Sequence, residues 1–309
     1  MIYTVTLNPA IDKTVEIEGL NLGGVNRISK MRTDVGGKGI NVSKVISKLS
    51  GDSIAMGIVG GSTGEDIENG LSEMGIKTDF VKVSGATRVN LKIIDVENNV
   101  NTDINEPGVE VSADVIAEVE SKLSSAIKKG DIVVLAGSAP KGAPVDVYAK
   151  LVRLCNAHEA CPVLDVDGAF LQPALDAKPY LIKPNIDELS RFFKVNIADK
   201  KEAVIYAKKL VEQGIQKVVV SLGGDGALFV DAEGAYYAHP VPVTVRSTVG
   251  AGDSMVGAIC LGLDKGYSIG EIIKLSIATS AANVTCSGTQ AAEWNQIEPL
   301  INKVCWEKL

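Results

Sequence analysis

Short apolar runs and longer amphipathic segments alternate along this chain. Ile54 to Val59, Ile132 to Leu135 and Val163 to Val166 are continuous Val- and Ile-rich runs of the length expected for buried strands. Each precedes a segment with helical apolar spacing: Glu65 to Met74, Val145 to Cys155 and Ala169 to Leu175. That order predicts βαβ units, and hence a mainly parallel sheet covered by helices. The N-terminal run to Leu7 reads as a first strand, and an amphipathic helix over Lys200 to Gln213 leads to another buried strand at Lys217 to Leu222. After Val249 the pattern turns to successive helices over Gly252 to Leu263, Ser268 to Asn283 and Gln296 to Trp306.

Two stretches, about 13–33 and 84–103, break this rhythm with half-polar strand patterns such as Thr14 to Ile17 and Asn90 to Ile94. They predict a small antiparallel sheet acting as a lid inserted in one contiguous unit spanning residues 1–309. A sheet with one apolar face and little to cover it must cap a cleft or meet another subunit. A homodimer formed through the lid is therefore the expected assembly.

Composition narrows the functional classes. Against 38 Asp and Glu stand 31 Lys and Arg, a net charge of −7, which offers no diffuse basic surface for nucleic acid. The five cysteines are odd in number and widely spaced, as expected for free thiols in a reducing compartment. No leader pattern and no apolar stretch of membrane-spanning length is present in this sequence, so a cytoplasmic location is expected. Cys155, His158 and Cys161 offer soft metal ligands without a clear fourth, which argues against zinc.

The strongest chemical signal is Gly250-Ala251-Gly252-Asp253 at the start of a predicted helix. Its glycines permit a sharp turn that gathers N–H groups at a helix N-terminus, an anion hole beside a carboxylate. Asp253 there is either a helix cap or a general base that takes a proton from a hydroxyl attacking a phosphoryl group. A second glycine-rich run, Gly36 to Asn41, lacks the Ser or Thr of a P-loop and the spacing of a dinucleotide fingerprint. It is a tight turn before a helix or a close backbone approach to a hydroxylated ligand. Asn185 and Glu188, three apart at a helix start, form a capping pair or hold a hydrated Mg²⁺. Ser221 to Ala227 is a glycine hairpin or a surface for a nucleotide. Arg27, Arg88 and Lys92 in the lid are solvated charges or ligands for a substrate phosphate.

Five runs in this order, Thr6 to Asp12, Gly36 to Asn41, Lys183 to Glu188, Ser221 to Gly226 and Thr248 to Asp253, resemble the ribokinase-like (phosphofructokinase-B) carbohydrate kinases over nearly the whole chain. The resemblance implies a three-layer α/β/α fold with a small β-sheet lid, and ATP and Mg²⁺ as cofactors. It implies Asp253 as base and Gly250, Ala251 and Gly252 as anion hole. Asp12, Gly37, Lys38 and Asn41 would hold sugar hydroxyls, with Arg27, Arg88, Lys92 and Ser138 near the substrate phosphate or sugar. Lys183, Ser221, Gly223, Gly226 and Asn283 would lie on the nucleotide side, with Asn185 and Glu188 ordering Mg²⁺ through water. Leu7 to Pro9 and Thr87 to Ile93 are similar to the branch acting on ketohexose phosphates, which implies fructose 1-phosphate as acceptor, with tagatose 6-phosphate or fructose 6-phosphate as alternatives. A sugar-phosphate sensor without catalysis is the rival from another class.

Overall fold

The computed structural model describes residues 1–286, 288 and 290–309. The chain opens with β1 (Ile2–Thr6) and runs through Asn8 and Pro9 into β2 (Ala10–Ile17), β3 (Lys30–Gly36) and α1 (Lys38–Lys48). Next come β4 (Ser53–Gly60), α2 (Gly61–Glu73) and β5 (Lys77–Val83), then a second excursion through β6 (Arg88–Asp95) and β7 (Val100–Asn105). α3 (Ala113–Ala126), β8 (Ile132–Ala136), α4 (Val147–Ala157), β9 (Cys161–Asp165), α5 (Leu171–Asp176) and β10 (Leu181–Ile182) continue the alternation. After α6 (Ile186–Phe193) and α7 (Lys200–Glu212), the strands β11 (Lys217–Ser221), β12 (Ala227–Asp231) and β13 (Gly234–Ala238) form a meander. The chain closes with α8 (Ala251–Asp264), α9 (Ile269–Asn283), α10 (Trp294–Ile301) and β14 (Trp306–Lys308).

Among the described residues ten strands form one sheet in the order β14-β13-β12-β11-β10-β9-β8-β1-β4-β5. From β5 across to β11 every pair is parallel, and β11 to β14 are antiparallel. Strand side chains alternate between two helical layers. In β8, Val133 and Leu135 join the core shared with α3, α4 and α7, while Ile132, Val134 and Ala136 join the one shared with α1, α8 and α9. The result is the expected three-layer α/β/α architecture with a mainly parallel sheet. No helix among the described residues is long and apolar enough to cross a membrane.

The second sheet has the order β3-β2-β6-β7. It is mixed, where an antiparallel sheet was expected: β2 and β6 run parallel, with Asp12 opposite Asn90 and Thr14 opposite Lys92. The cause lies in the main sheet. β1 and β5 point the same way there, each paired in parallel with β4, so the segments leaving their ends also run alike. The first lid segment is longer than about 13–33, reaching from Ala10 to Gly36, whereas the second is shifted along the chain, from about 84–103 to Arg88–Asn105.

A further difference lies at the C-terminus. The helix expected over Gln296 to Trp306 ends at Ile301, and Trp306–Lys308 pairs with β13 instead. Tertiary contacts override the helical spacing: the His239 N–H donates to the Cys305 carbonyl at 2.9 Å, and the Trp306 ring stands edge-on to Tyr236 at 5.8 Å.

Candidate active site

The C-terminal ends of the parallel strands open into a cleft of about 1240 Å³ between the main sheet and the lid. Ligands bind at this end of open α/β sheets because loops and helix N-termini converge there. α8 enters the cleft from Gly250, whose φ of 78° is a left-handed conformation natural to glycine. The turn from Gly250 to Gly252 therefore presents the positive end of α8 to the cleft. A side chain at 252 would come within 3.1 Å of Lys183 Nζ, so glycine keeps that ammonium beside the turn.

Asp253 is buried in the first turn of α8 and does not cap it: no side chain caps this helix. Its Oδ2 accepts from Asn41 Nδ2 at 2.8 Å. Burial pushes its carboxyl up to about 6; the Asp165 carboxylate adds to the rise, while Asn41, Lys38 and Lys183 oppose it. A carboxylate poised there accepts a proton readily at neutral pH without being protonated beforehand.

Asp165, at the end of β9, was not anticipated. Its carboxylate lies 3.3 Å from Lys38 Nζ and 3.8 Å from Lys183 Nζ. Burial alone would raise its pKa, but Lys183 and Lys38 outweigh burial and hold it below the usual carboxylate range. Lys38 in turn is raised, because Asp165, Asp253 and Glu188 outweigh the cost of its own burial. The sequence signal was available in an aspartate closing a continuous apolar strand run.

The lid contributes a second polar cluster to the cleft. Asn90 Nδ2 donates to Asp12 Oδ1 at 2.9 Å, and burial raises Asp12 against the pull of Asn90, Lys44, Lys92 and Arg88. Among the described residues, Thr6 Oγ1 and Asn90 Oδ1 are buried without a hydrogen-bond partner, and both residues line the cleft. Such groups suit a ligand rich in hydroxyls. Gly37, Lys38 and Ser138 also line the cleft, and Asn8 Nδ2 donates to Ser138 Oγ at 3.4 Å.

Two residues lie outside the cleft lining, and a third reaches it with its donors already engaged. Arg27 lies on the exposed loop between β2 and β3, outside the cleft lining, because that loop extends beyond the lid edge. Asn283 is buried behind the cleft, where Nδ2 donates to the Val249 carbonyl at 3.3 Å and steadies the approach to Gly250. Arg88 reaches the cleft, but its guanidinium donates to the carbonyls of Asn8 (3.0 Å), Glu106 (3.2 Å) and Pro9 (3.4 Å). Lys92, 3.5 Å from Asp103, is the more available lid cation.

At the other end, Lys183, Ser221, Gly223 and Gly226 share the cleft with an apolar wall of Val241, Val243, Ala281 and Val284 that sequence reasoning overlooked. Asn185 and Glu188 form a reciprocal capping box, with both bonds at 2.8 Å, and both residues also line the cleft. Cys155 is buried and His158 pairs with Ser124 Oγ at 3.1 Å; no group of three potential metal ligands gathers among the described residues.

Residues 5–296 match the pfkB family carbohydrate kinases. This chain belongs to that family. The kinase is 42% identical over 282 residues to the 1-phosphofructokinase of Bacillus subtilis, covering 91% of this chain and 92% of that protein. It is 36% identical over 287 residues to a tagatose-6-phosphate kinase of Staphylococcus epidermidis, covering 92% of each. Its fold matches the crystal structure of Escherichia coli phosphofructokinase-2 in complex with substrates and products with a TM-score of 0.93, at 30% identity and 98% coverage of both chains.

Proposed function

We propose that this kinase transfers the γ-phosphoryl group of ATP to a ketohexose phosphate, with fructose 1-phosphate yielding fructose 1,6-bisphosphate. The carrying observation is the buried Asp253 carboxylate at the N-terminus of α8, in one cleft with Lys183 and the lid's Asp12. The relation to a 1-phosphofructokinase supports the acceptor. The relation to a tagatose-6-phosphate kinase keeps tagatose 6-phosphate as the second reading, and comparing kcat/KM for the two sugars separates them.

ATP lies with its base against the Val241 and Val284 wall and its phosphates toward Lys183 and the glycine turns. The sugar lies against Asp12 and Asn90, with its phosphate toward Lys92 and Ser138. Its C6 hydroxyl attacks the γ-phosphorus as the bond to the β–γ bridging oxygen breaks. The hydroxyl proton passes to Asp253, and ADP leaves. N–H groups of the Gly250–Gly252 turn and the Lys38 ammonium stabilise the charge that spreads over the phosphoryl oxygens. Asn185 and Glu188 fit Mg²⁺ through water, since Asn185 Oδ1 and one Glu188 oxygen are committed to the helix start and Mg²⁺ keeps several waters. When bound, the ion neutralises charge on the phosphates.

Replacing Asp253 by Asn keeps the shape and removes the base. Turnover should fall by about 10²- to 10⁴-fold with little change in KM for either substrate, measured by a coupled ADP-release assay. Near-normal turnover would sink the assignment.

The lid carries a second proposal: two copies associate through it in the cytoplasm, where free thiols such as the five here persist. Met31, Val100 and Ile104 lie on its outer face and are 60%, 50% and 53% exposed, a hydrophobic surface that calls for a partner.

A further inference from the structure

Lys44 is a buried lysine one helical turn beyond Asn41 on α1. No step of the proposed transfer uses it. Its Nζ donates to the Val35 carbonyl at 3.0 Å and to Asn41 Oδ1 at 3.5 Å. The other end of the same amide donates to Asp253 Oδ2 at 2.8 Å. An ammonium can only donate and a carboxylate can only accept, so the two together fix which way the amide points. Reversing Asn41 would set its NH₂ against Lys44 and its oxygen against Asp253, two repulsive contacts at once.

We propose that Lys44 is a positioning residue for phosphoryl transfer: it locks the Asn41 amide so that its NH₂ grips Asp253 Oδ2, leaving Oδ1 to take the substrate proton. The inference rests on the reading of Asp253 as the base. In effect Asn41 belongs to the machinery of the base, and Lys44 reaches that base through Asn41.

The surrounding charges make such a lock necessary. Asp253 is faced by Asp165 from β9, by Lys38 from the start of α1 and by Lys183 after β10. Burial and Asp165 both favour its protonated form. Lys44 is faced by Asp34 and Arg32 from β3, Asp12 from β2 and Asp253 from α8. Burial lowers its pKa while the three carboxylates support its charge. Lysine at this place costs desolvation that a residue serving packing alone would not. The geometry supplies a return, because the ammonium holds an amide whose donation keeps the base ionised.

The test is the pH dependence of kcat/KM for the sugar phosphate in Lys44→Met, Asn41→Leu and the double variant, each shown folded by its thermal melt. Asn41→Leu removes the donation to Asp253 and Lys44→Met releases the amide that makes it, so each should raise the acid limb, Asn41→Leu by about one pH unit. The double variant should move no further than the larger single shift, because both changes act through the same Asn41–Asp253 bond. An acid limb that stays in place in either single variant, or shifts that add in the double, overturns the inference. Should Lys44→Met not fold, Lys44→Arg carries the test, since it keeps a charged donor. A limb raised by less than half the Asn41→Leu shift supports the inference, and a larger rise overturns it. Asp253→Asn separates the two readings: an active variant removes the base assignment itself, whereas an inactive one beside unmoved limbs refutes only the role of Lys44.

Discussion

Gly36 gives the most direct probe of the acceptor site, because a single methyl group there collides with the Asp12 carboxylate. A Cβ built on Gly36 stands 2.1 Å from Asp12 Oδ2 and 2.7 Å from its Cγ, inside the 3.0 Å that real contacts respect. Gly36 does not have a positive φ, so alanine adopts its backbone without strain and the clash is the whole perturbation. The carboxylate must retreat by about 1 Å, which breaks the 2.9 Å bond from Asn90. A hydrogen bond to a charged group is worth about 1.5–3 kcal/mol, or roughly 10- to 150-fold in kcat/KM if the sugar shares that carboxylate. Gly36→Ala should therefore raise KM for the sugar phosphate by that order while KM for ATP stays within about twofold, in steady-state assays varying each substrate at saturation of the other. Stability should change little, since alanine also restricts the unfolded chain, by about 0.4–1 kcal/mol. A folded Gly36→Ala enzyme with an unchanged sugar KM refutes the placement of the sugar at Asp12, and an equal rise in both KM values shows that the methyl group acts by distorting the cleft at large.

Two further outcomes follow from the charges and surfaces described. The proposed base must be ionised to act and burial pushes Asp253 up to about 6, so on that reading kcat/KM should fall as pH drops through about 6 and level off above it, as read from initial rates across an overlapping buffer series. The protein should sediment as a dimer at micromolar concentration, and Ile104→Glu on the lid's exposed face should yield monomers; a wild-type monomer in sedimentation velocity removes the lid-mediated assembly.

The layers of the fold were legible because βαβ order leaves little freedom in a parallel sheet. Runs such as Ile132 to Leu135 are apolar on both faces, and the structure buries them between two helical layers. Helix α3 was just as legible, with Ile116, Val119 and Leu123 at helical spacing, yet it lay outside the elements read. The parallel pairing of β2 with β6 was not legible, since local alternation carries no information about strand direction. Trp306 escaped for a related reason: an edge strand of three residues owes its conformation to β13 and Tyr236 and has no period of its own.

Within the candidate site, glycine turns and capping pairs are local signals, and they led to Gly250, Asp253, Asn185 and Glu188. Asp165 and Lys44 were invisible because each matters through partners far away in the chain. Lys38 meets Asp165 from 127 positions away in the chain, and Lys183 joins them from beyond β10. Local spacing could not reveal that the Asn41 amide is held between Lys44 and Asp253. The burial that lifts Asp253 to about 6 is a property of the assembled cleft, absent from any short motif.

Asp12, Asn90 and Lys92 stand on one face of the lid sheet, whereas Asp253, Asp165 and Lys183 belong to the main sheet and the segments that follow its strands. On the proposed reading, most acceptor contacts sit on backbone distinct from the main-sheet segments that carry Asp253, with Thr6 and Ser138 as exceptions, and the two pieces are joined at Leu7 to Pro9, at Gly37, at Ser84 to Thr87 and over 106–112. For protein engineering this is a natural seam. On that reading, changes confined to the lid strands bear first on the choice of acceptor, while Asp253, Asp165 and Lys183 keep their places on the main sheet and the segments that follow its strands.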